Sequence, residues 1–259
     1  FVQCEAKPAA AGRLAAVTRW TLLTFNTHCG VGPNRRDKKP YGLRHVLVDL
    51  ANSLDLDVIV LQEVFVPDGE ASEAALAAGD LGMHLAFHSF GRGVVEPWPH
   101  IKTPGAGHIG LAVLTKSPAV VNPPIELPSA PFDPVRHRAA INVTVSKGAD
   151  ELDVIALHTT SRLPIGPPRQ LRALARQLPP AERPTVIAGD HNFWGPAVLA
   201  CLPGWKRTVR GRTWPASHPH SQIDHILIPR SGALRAVAGN VLEPVGSDHL
   251  PIMAIMETP

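Results

Sequence analysis

Apolar residues in this chain fall into short runs, and run after run ends at a polar residue. Residues 20–25 read as a strand leading into Asn26. Residues 57–61 form an apolar stretch rich in β-branched side chains, the pattern of a strand covered on both faces. Between them Leu43, Val46, Leu47, Leu50 and Leu54 recur at helical spacing, so one stripe of a helix faces the core. A short Ala-rich helix is predicted over 70–82. Another is predicted over 168–178, where Leu171, Leu174, Ala175 and Leu178 share a face and Pro168 opens the first turn. Strands are predicted at 111–115, 140–145, 152–157, 185–188, 222–228 and 251–256. Two loops stand out: a charged one over 32–39, and a long Gly/Pro stretch over 91–107 that carries Trp98, His100 and Lys102.

Strands dominate, with a few helices between them. The close succession of 140–145 and 152–157 is hairpin-like and argues for partly antiparallel pairing. That favours an α+β sandwich over a doubly wound parallel sheet. No internal repeat, low-complexity tract or linker divides the chain, and 259 residues suit one large core. The expected organisation is an N-terminal extension over 1–19 and a single domain over 20–259.

Composition narrows the function classes. Hydrophobic residues make up 44% and charged residues 18%, enough apolar surface to fold. No apolar run approaches the roughly 18 to 20 residues a membrane-spanning helix needs, so stable membrane insertion is not expected. The first twenty residues lack an apolar core of signal-peptide type, which makes a cytoplasmic location the expectation, with secretion left open because the chain starts at Phe1. Cys4, Cys29 and Cys201 fit neither a disulfide framework nor a CxxC metal site. The net charge of +3 and the excess of 18 Arg over 7 Lys point weakly to a polyanionic partner, because Arg forks suit phosphate. A monomer is expected.

The chemistry gathers where strands end. The run to Phe25 delivers Asn26, the run to Leu61 delivers Gln62 and Glu63, the run to Leu157 delivers His158, and Ala188-Gly189 delivers Asp190. Strands packed side by side bring such exits to a common edge, so residues far apart in sequence can converge. Asp190 and Asn192 are two apart, which in an extended segment puts both on one face and His191 on the other. Asp224 interrupts an apolar run and is expected to be buried, a position that demands a partner. His249, in the turn Ser247-Asp248-His249, is the natural choice, since a carboxylate accepting its Nδ1 proton raises the basicity of the other nitrogen. Glu63, Asp190, Asp224 and Asp248 together concentrate like charge, which a hard cation with oxygen ligands would compensate.

The segments Leu23-Thr24-Phe25-Asn26, Leu61-Gln62-Glu63-Val64, Ala156-Leu157-His158-Thr159, Ala188-Gly189-Asp190-His191-Asn192, Gln222-Ile223-Asp224-His225 and Ser247-Asp248-His249 resemble, in order, the motifs of the endonuclease/exonuclease/phosphatase superfamily. This superfamily includes deoxyribonucleases, abasic-site endonucleases, sphingomyelinases and inositol-phosphate phosphatases. The resemblance implies a four-layered α/β sandwich, with two central mixed β-sheets flanked by helices. It implies a divalent-metal-dependent hydrolase of phosphate esters, foremost a phosphodiesterase or nuclease, using in-line attack of water. Magnesium, with manganese as the alternative, would be held by Asn26, Glu63 and Asp248. Asp190 and Asn192 would position and activate the water, His158 would bind the phosphate, and His249, oriented by Asp224, would bind it or transfer a proton. Nucleic acid stands ahead of lipid or sugar phosphates as substrate. Two alternatives remain: a lipid or sugar-phosphate phosphodiesterase or phosphatase, and a catalytically silent binding module on the same fold.

Departures from the family pattern bear on the substrate. Some nucleases of the family carry an acid where His28 stands, and the lone Tyr41 lies in the wrong region to match the phosphate-contacting tyrosine of abasic-site enzymes; DNA repair is therefore not expected. Residues 105–110 fit GxGxxG formally but run into a strand rather than a helix, against a dinucleotide site. His218, His220 and His225 are expected at the surface or behind the site rather than on zinc. Trp98, Trp194, Trp205 and Trp214 are expected in or near loops at the active edge, and the start of the helix at Arg169-Gln170 is read as scaffold.

Overall fold

The computed structural model describes residues 17–32, 40–94, 106–130, 133, 135, 137–178 and 183–258. Most of the expected N-terminal extension, Cys4, residues 33–39, Trp98, His100, Lys102 and Gly105 lie outside the described residues. The first half gives β1 (Thr18–Asn26), α1 (Leu43–Leu54), β2 (Val58–Pro67), α2 (Glu73–Leu81), β3 (His84–Val94) and β4 (Ala106–Thr115). Then come β5 (Ala119–Leu127), β6 (Arg138–Lys147), β7 (Asp150–His158), α3 (Gly166–Gln177), β8 (Thr185–Asp190) and a short α4 (Val198–Cys201). The chain ends with β9 (Trp205–Arg207), β10 (Asp224–Pro229), β11 (Arg235–Val241) and β12 (Ile252–Thr258).

Two six-stranded sheets result, in the orders β11-β12-β1-β2-β4-β3 and β5-β6-β7-β8-β10-β9. Each holds one parallel pair, β1 with β2 and β7 with β8, among antiparallel neighbours. The sheets pack face to face. Alternation along each central strand sends one set of side chains between the sheets and the other toward the helices. Trp20, Leu22, Val58, Val60, Val154, Ala156, Val186 and Ala188 fill the space between sheets. Leu23, Phe25, Ile59 and Leu61 turn outward to α1 and α2, while Ile155, Leu157 and Ile187 meet α3 and α4. Helix, sheet, sheet, helix gives the four layers of the expected α+β sandwich, and explains the unbroken apolar runs: these strands are covered on both faces.

Four strands escape the hydrophobic pattern: β3, β5, β9 and β11. They are the four edges of the two sheets. An edge strand has less to bury, so its apolar alternation is weak: β5 carries Pro123-Pro124, and Val120 and Val121 lie exposed. Part of the loop predicted over 91–107 is strand instead, because residues 91–94 extend β3 and β4 begins at Ala106; residues 95–105 lie outside the described residues.

Gly189, just inside the end of β8, meets a tight constraint. Its φ is +146°, and a Cβ there would stand 1.9 Å from the Leu157 carbonyl oxygen on the neighbouring strand. Gly189→Ala is therefore expected to cost more than about 3 kcal/mol. Gly148→Ala, at φ +64° but with open space around it, should cost about 1 to 2 kcal/mol. Urea denaturation of both variants checks this, and equal midpoints would refute it.

Candidate active site

Parallel pairing sends the C-terminal ends of β1 and β2, and of β7 and β8, to one edge of the sandwich, where Asn26 Nδ2 donates to Asp190 Oδ2 across the two sheets at 3.0 Å. β10 runs antiparallel to β8, so its first residue, Asp224, pairs with Asp190. β12 runs antiparallel to β1, and the turn before it brings Ser247, Asp248 and His249 to the end of β1, where Ser247 Oγ donates to the Asn26 carbonyl at 2.7 Å. All eight residues singled out from the sequence arrive at this edge.

Local backbone sets their aim. The ladder between β2 and β4 shifts register between Leu61 and Val64, and inside this bulge Glu63 adopts φ +53°. Bulges of this kind re-aim a side chain at the cost of strain. Thr27 Oγ1 braces it, within donor reach of the Gln62 and Glu63 carbonyls at 3.0 and 2.9 Å. Asn192 departs from the strand alternation expected of it: it does not continue the strand but turns at φ +44°, and its N–H donates to Asp190 Oδ1 at 2.7 Å. Asp190 and Asn192 thus converge through a turn rather than through strand alternation. His191 does point away, buried with Nδ1 2.9 Å from the Gly189 carbonyl.

Asp190 is the hub. Its Oδ2 also receives Asn192 Nδ2 at 3.3 Å, and lies 3.6 Å from His158 Nε2 and 3.8 Å from His249 Nε2. His249 Nδ1 sits 2.9 Å from Asp224 Oδ2, and Asp224 is held in place by backbone N–H groups that Thr213 Oγ1 accepts. Asn26 Nδ2 bridges Asp190 and Glu63, the latter at 3.2 Å. Burial and the nearby Asp224 charge raise the Asp190 carboxyl above its ordinary range. Burial pulls His249 down, but the charge and hydrogen bond of Asp224, with the charges of Asp190 and Asp248, hold it well above ordinary imidazole. His158 is pushed the other way by burial and by the charges of Arg138 and His249, so its ring is neutral.

These groups line a pocket of about 600 Å³. Glu63, His158, Asp190, Asn192, Asp248 and His249 face it, whereas Asn26 and Asp224, each 1% exposed, stand behind them. Among the lining residues that the sequence did not single out is a charged one, Arg138. It opens β6 with its guanidinium ion-paired to Asp133 at 2.8 Å and donating to the His158 carbonyl at 3.3 Å. The signal was a lone Arg leading the apolar start of a strand, Ala139-Ala140-Ile141. His28, noted only as a departure, and Trp214 also line the pocket, and Trp214 Nε1 donates to Asp248 Oδ2 at 3.4 Å. Trp194 lies half-exposed on the rim. Tyr41 is structural: its hydroxyl donates to the Thr27 carbonyl at 2.9 Å.

Of the three crowded histidines, His218 and His220 are exposed, with His220 edge-on to Trp214 at 5.4 Å. His225 is buried against His191, their ring centroids 5.0 Å apart. Among the described residues, the His/Cys/Asp/Glu group drawn together within 4.8 Å is instead Asp190, Asp224 and His249. There the imidazole already engages one carboxylate. Glu63 and Asp248 are different: their side chains are 30% and 27% exposed to the pocket. Part-exposed carboxylates beside an amide make an all-oxygen donor set suited to a hard divalent cation.

The sequence matches the Endonuclease/Exonuclease/phosphatase family over residues 23–249. Among curated proteins, no sequence matches the chain. Among solved structures, an endonuclease/exonuclease/phosphatase from Beutenbergia cavernae DSM 12333 is 22% identical, with a TM-score of 0.70 over 93% of this chain and 72% of that one. The human Nocturnin catalytic domain with bound sulfate anion is 15% identical, with a TM-score of 0.69 over 94% and 97%. D. rerio TDP2 complexed with single strand DNA product is 17% identical, with a TM-score of 0.62 over 93% and 100%. These likenesses show the fold, and the sequence match, which spans the strand exits from Asn26 to His249, shows the lineage: the chain belongs to the endonuclease/exonuclease/phosphatase family.

Proposed function

We propose that this chain hydrolyses phosphodiester bonds by metal-assisted in-line attack of water, with a nucleic-acid strand as the leading substrate. The family consists generally of hydrolytic phosphoesterases that use divalent metals. One observation carries the finer reading: a carboxylate with raised basicity, Asp190, shares a pocket with an imidazole, His249, that Asp224 holds protonated. A carboxylate raised toward neutrality and an imidazole kept charged above it give a base and an acid side by side, which is what water attack on phosphorus needs. Nucleic acid leads because one structural neighbour, D. rerio TDP2, was solved with a single strand DNA product, and because Trp194 offers a stacking face at the rim.

Asn26, Glu63 and Asp248 would hold magnesium or manganese. Such an ion supplies Lewis-acid polarisation of a phosphoryl oxygen. In the proposed chemistry, Asp190 and Asn192 orient the water and Asp190 takes its proton as the new O–P bond forms. His158 and protonated His249 face the phosphoryl oxygens. His249 gives its Nε2 proton to the leaving oxygen as the old P–O bond breaks. Asp224 keeps the His249 ring oriented and charged without touching substrate.

Asp190→Ala and His249→Ala should each lower kcat/KM for a chromogenic phosphodiester by at least about 10³-fold while circular dichroism stays native; wild-type rates in either would overturn the assigned roles. Removing metal with a chelator should stop turnover, and magnesium or manganese should restore it. Asp224→Asn removes a charge that raises both Asp190 and His249. The acid limb, set by deprotonation of Asp190, and the alkaline limb, set by loss of the His249 proton, should therefore both move to lower pH in the kcat/KM profile. Unmoved limbs would show that Asp224 does not tune the pair. Sphingomyelin and inositol phosphates hydrolysed in preference to DNA and RNA would favour a lipid or sugar-phosphate enzyme instead.

A further inference from the structure

After Asp153 the next carboxylate in the chain is Glu182, and the stretch between them holds Arg162, Arg169, Arg172 and Arg176. All four are exposed, and among the described residues none has a carboxylate partner within ion-pair distance. Several other arginines are neutralised: Arg44 pairs with Asp80, Arg138 with Asp133, Arg183 with Glu151 and Asp153, and Arg235 with Glu257. Arg207, Arg210, Arg212 and Arg230 also lack a carboxylate partner among the described residues, but they lie on β9, in the loop after it and past β10 rather than on one helix face. Unneutralised charge concentrated on one element calls for an anionic partner.

Geometry gives that charge a place. Arg169, Arg172 and Arg176 recur at i, i+3 and i+7 on α3, so they share a face over about 10 Å of helix. With Pro164, Ile165 and Pro168 they line a cleft of about 580 Å³. The loop before α3 joins this cleft to the catalytic pocket, because Ser161 and Leu163 line the pocket while Pro164 and Ile165 line the cleft. The helix is bolted to the same loop. Gln170, fully buried, accepts from the Thr160 N–H at 2.8 Å and donates to the Pro128 carbonyl at 3.0 Å, and Thr160 lies two residues beyond His158.

We infer that this cleft is a second anion subsite, outside the catalytic pocket, that takes the flanking phosphates of a nucleic-acid strand whose reacting phosphate lies between His158 and His249. The inference rests on the phosphodiester reading and extends it to a path: catalytic pocket, over the 161–165 loop, into the arginine cleft. Trp194 on the pocket rim supplies a π face for a base, and the arginines supply the charge, the pairing found where single strands bind without sequence readout. A membrane surface would also attract arginines beside exposed Leu163 and Ile165. The direct continuity of this face with the catalytic pocket, through the shared 161–165 loop, favours a strand that threads both over a bilayer.

The test uses fluorescence anisotropy with a fluorescein-labelled single-stranded oligonucleotide of about 20 nucleotides, in chelator to suppress turnover, over roughly 50 to 200 mM salt. In Arg169→Ala/Arg172→Ala/Arg176→Ala the slope of log K against log salt should fall in magnitude by about 2, near 0.7 for each phosphate no longer neutralised, with at least ten-fold weaker binding at the lowest salt. Arg230→Ala, past the end of β10 remote from Asp224, controls for net charge and should bind within two-fold of wild type. Thermal melting confirms the fold of each, and single Arg172→Glu, with a slope reduced by about 1, serves if the triple variant is unstable. Unchanged oligonucleotide binding in the variants would overturn the subsite. So would loss of binding only to phosphatidylserine vesicles, which would assign the face to a membrane. Wild-type hydrolysis of bis(p-nitrophenyl) phosphate is read separately. No turnover, with oligonucleotide binding weakened in the variants, sinks the catalytic reading and keeps the subsite; turnover with insensitive binding does the reverse.

Discussion

A carboxylate buried at the seam of two sheets, with one face on the pocket, is the constraint around which this molecule is arranged. Asp190 is 1% exposed and faces Asp224, which is equally buried. Two such groups side by side are unstable without compensation. The surroundings provide it in layers: Asn26 from the other sheet, the Asn192 backbone and amide from the following turn, and the His249 ring clamped by Asp224. Each of these depends on a different strand ending at the right depth. Shifting any one of them would leave a buried charge without its partner.

The same arrangement explains why the pocket carries opposed proton affinities within a few ångströms. Asp190 binds its proton more tightly than an ordinary carboxylate, because burial strips most of its hydration and a like charge lies beside it. His249 and His158 sit in the same pocket, yet one is held charged by a carboxylate and the other is held neutral by burial beside Arg138. Chemically similar rings thus acquire different states from their neighbours alone.

Much of this was legible in the sequence, for identifiable physical reasons. Strands covered on both faces leave unbroken apolar runs, so β1, β2, β7, β8 and β10 announced themselves, and with them the residues at their ends. The edge strands β3, β5, β9 and β11 did not, because an edge buries too little to impose a pattern. The partnership of Asp224 with a histidine followed from the cost of burying it. The meeting of Asp190 and Asn192 was expected for the wrong reason, since a left-handed turn rather than strand alternation brings them together. Arg138 stayed hidden because its importance lies in what it touches, Asp133 and the His158 carbonyl, neither of which its own neighbours in sequence reveal.

The order of strands in the first sheet has a consequence for when the pocket is assembled as the chain is made. β12, the last of the described strands, lies between β1 and β11 and pairs antiparallel with β1. Until it docks, β1 has one open side, and no strand pairing fixes the turn carrying Asp248 and His249 at the end of β1. A growing polypeptide can assemble most of the second sheet and its helices early. The pocket is complete only when β12 has docked on β1.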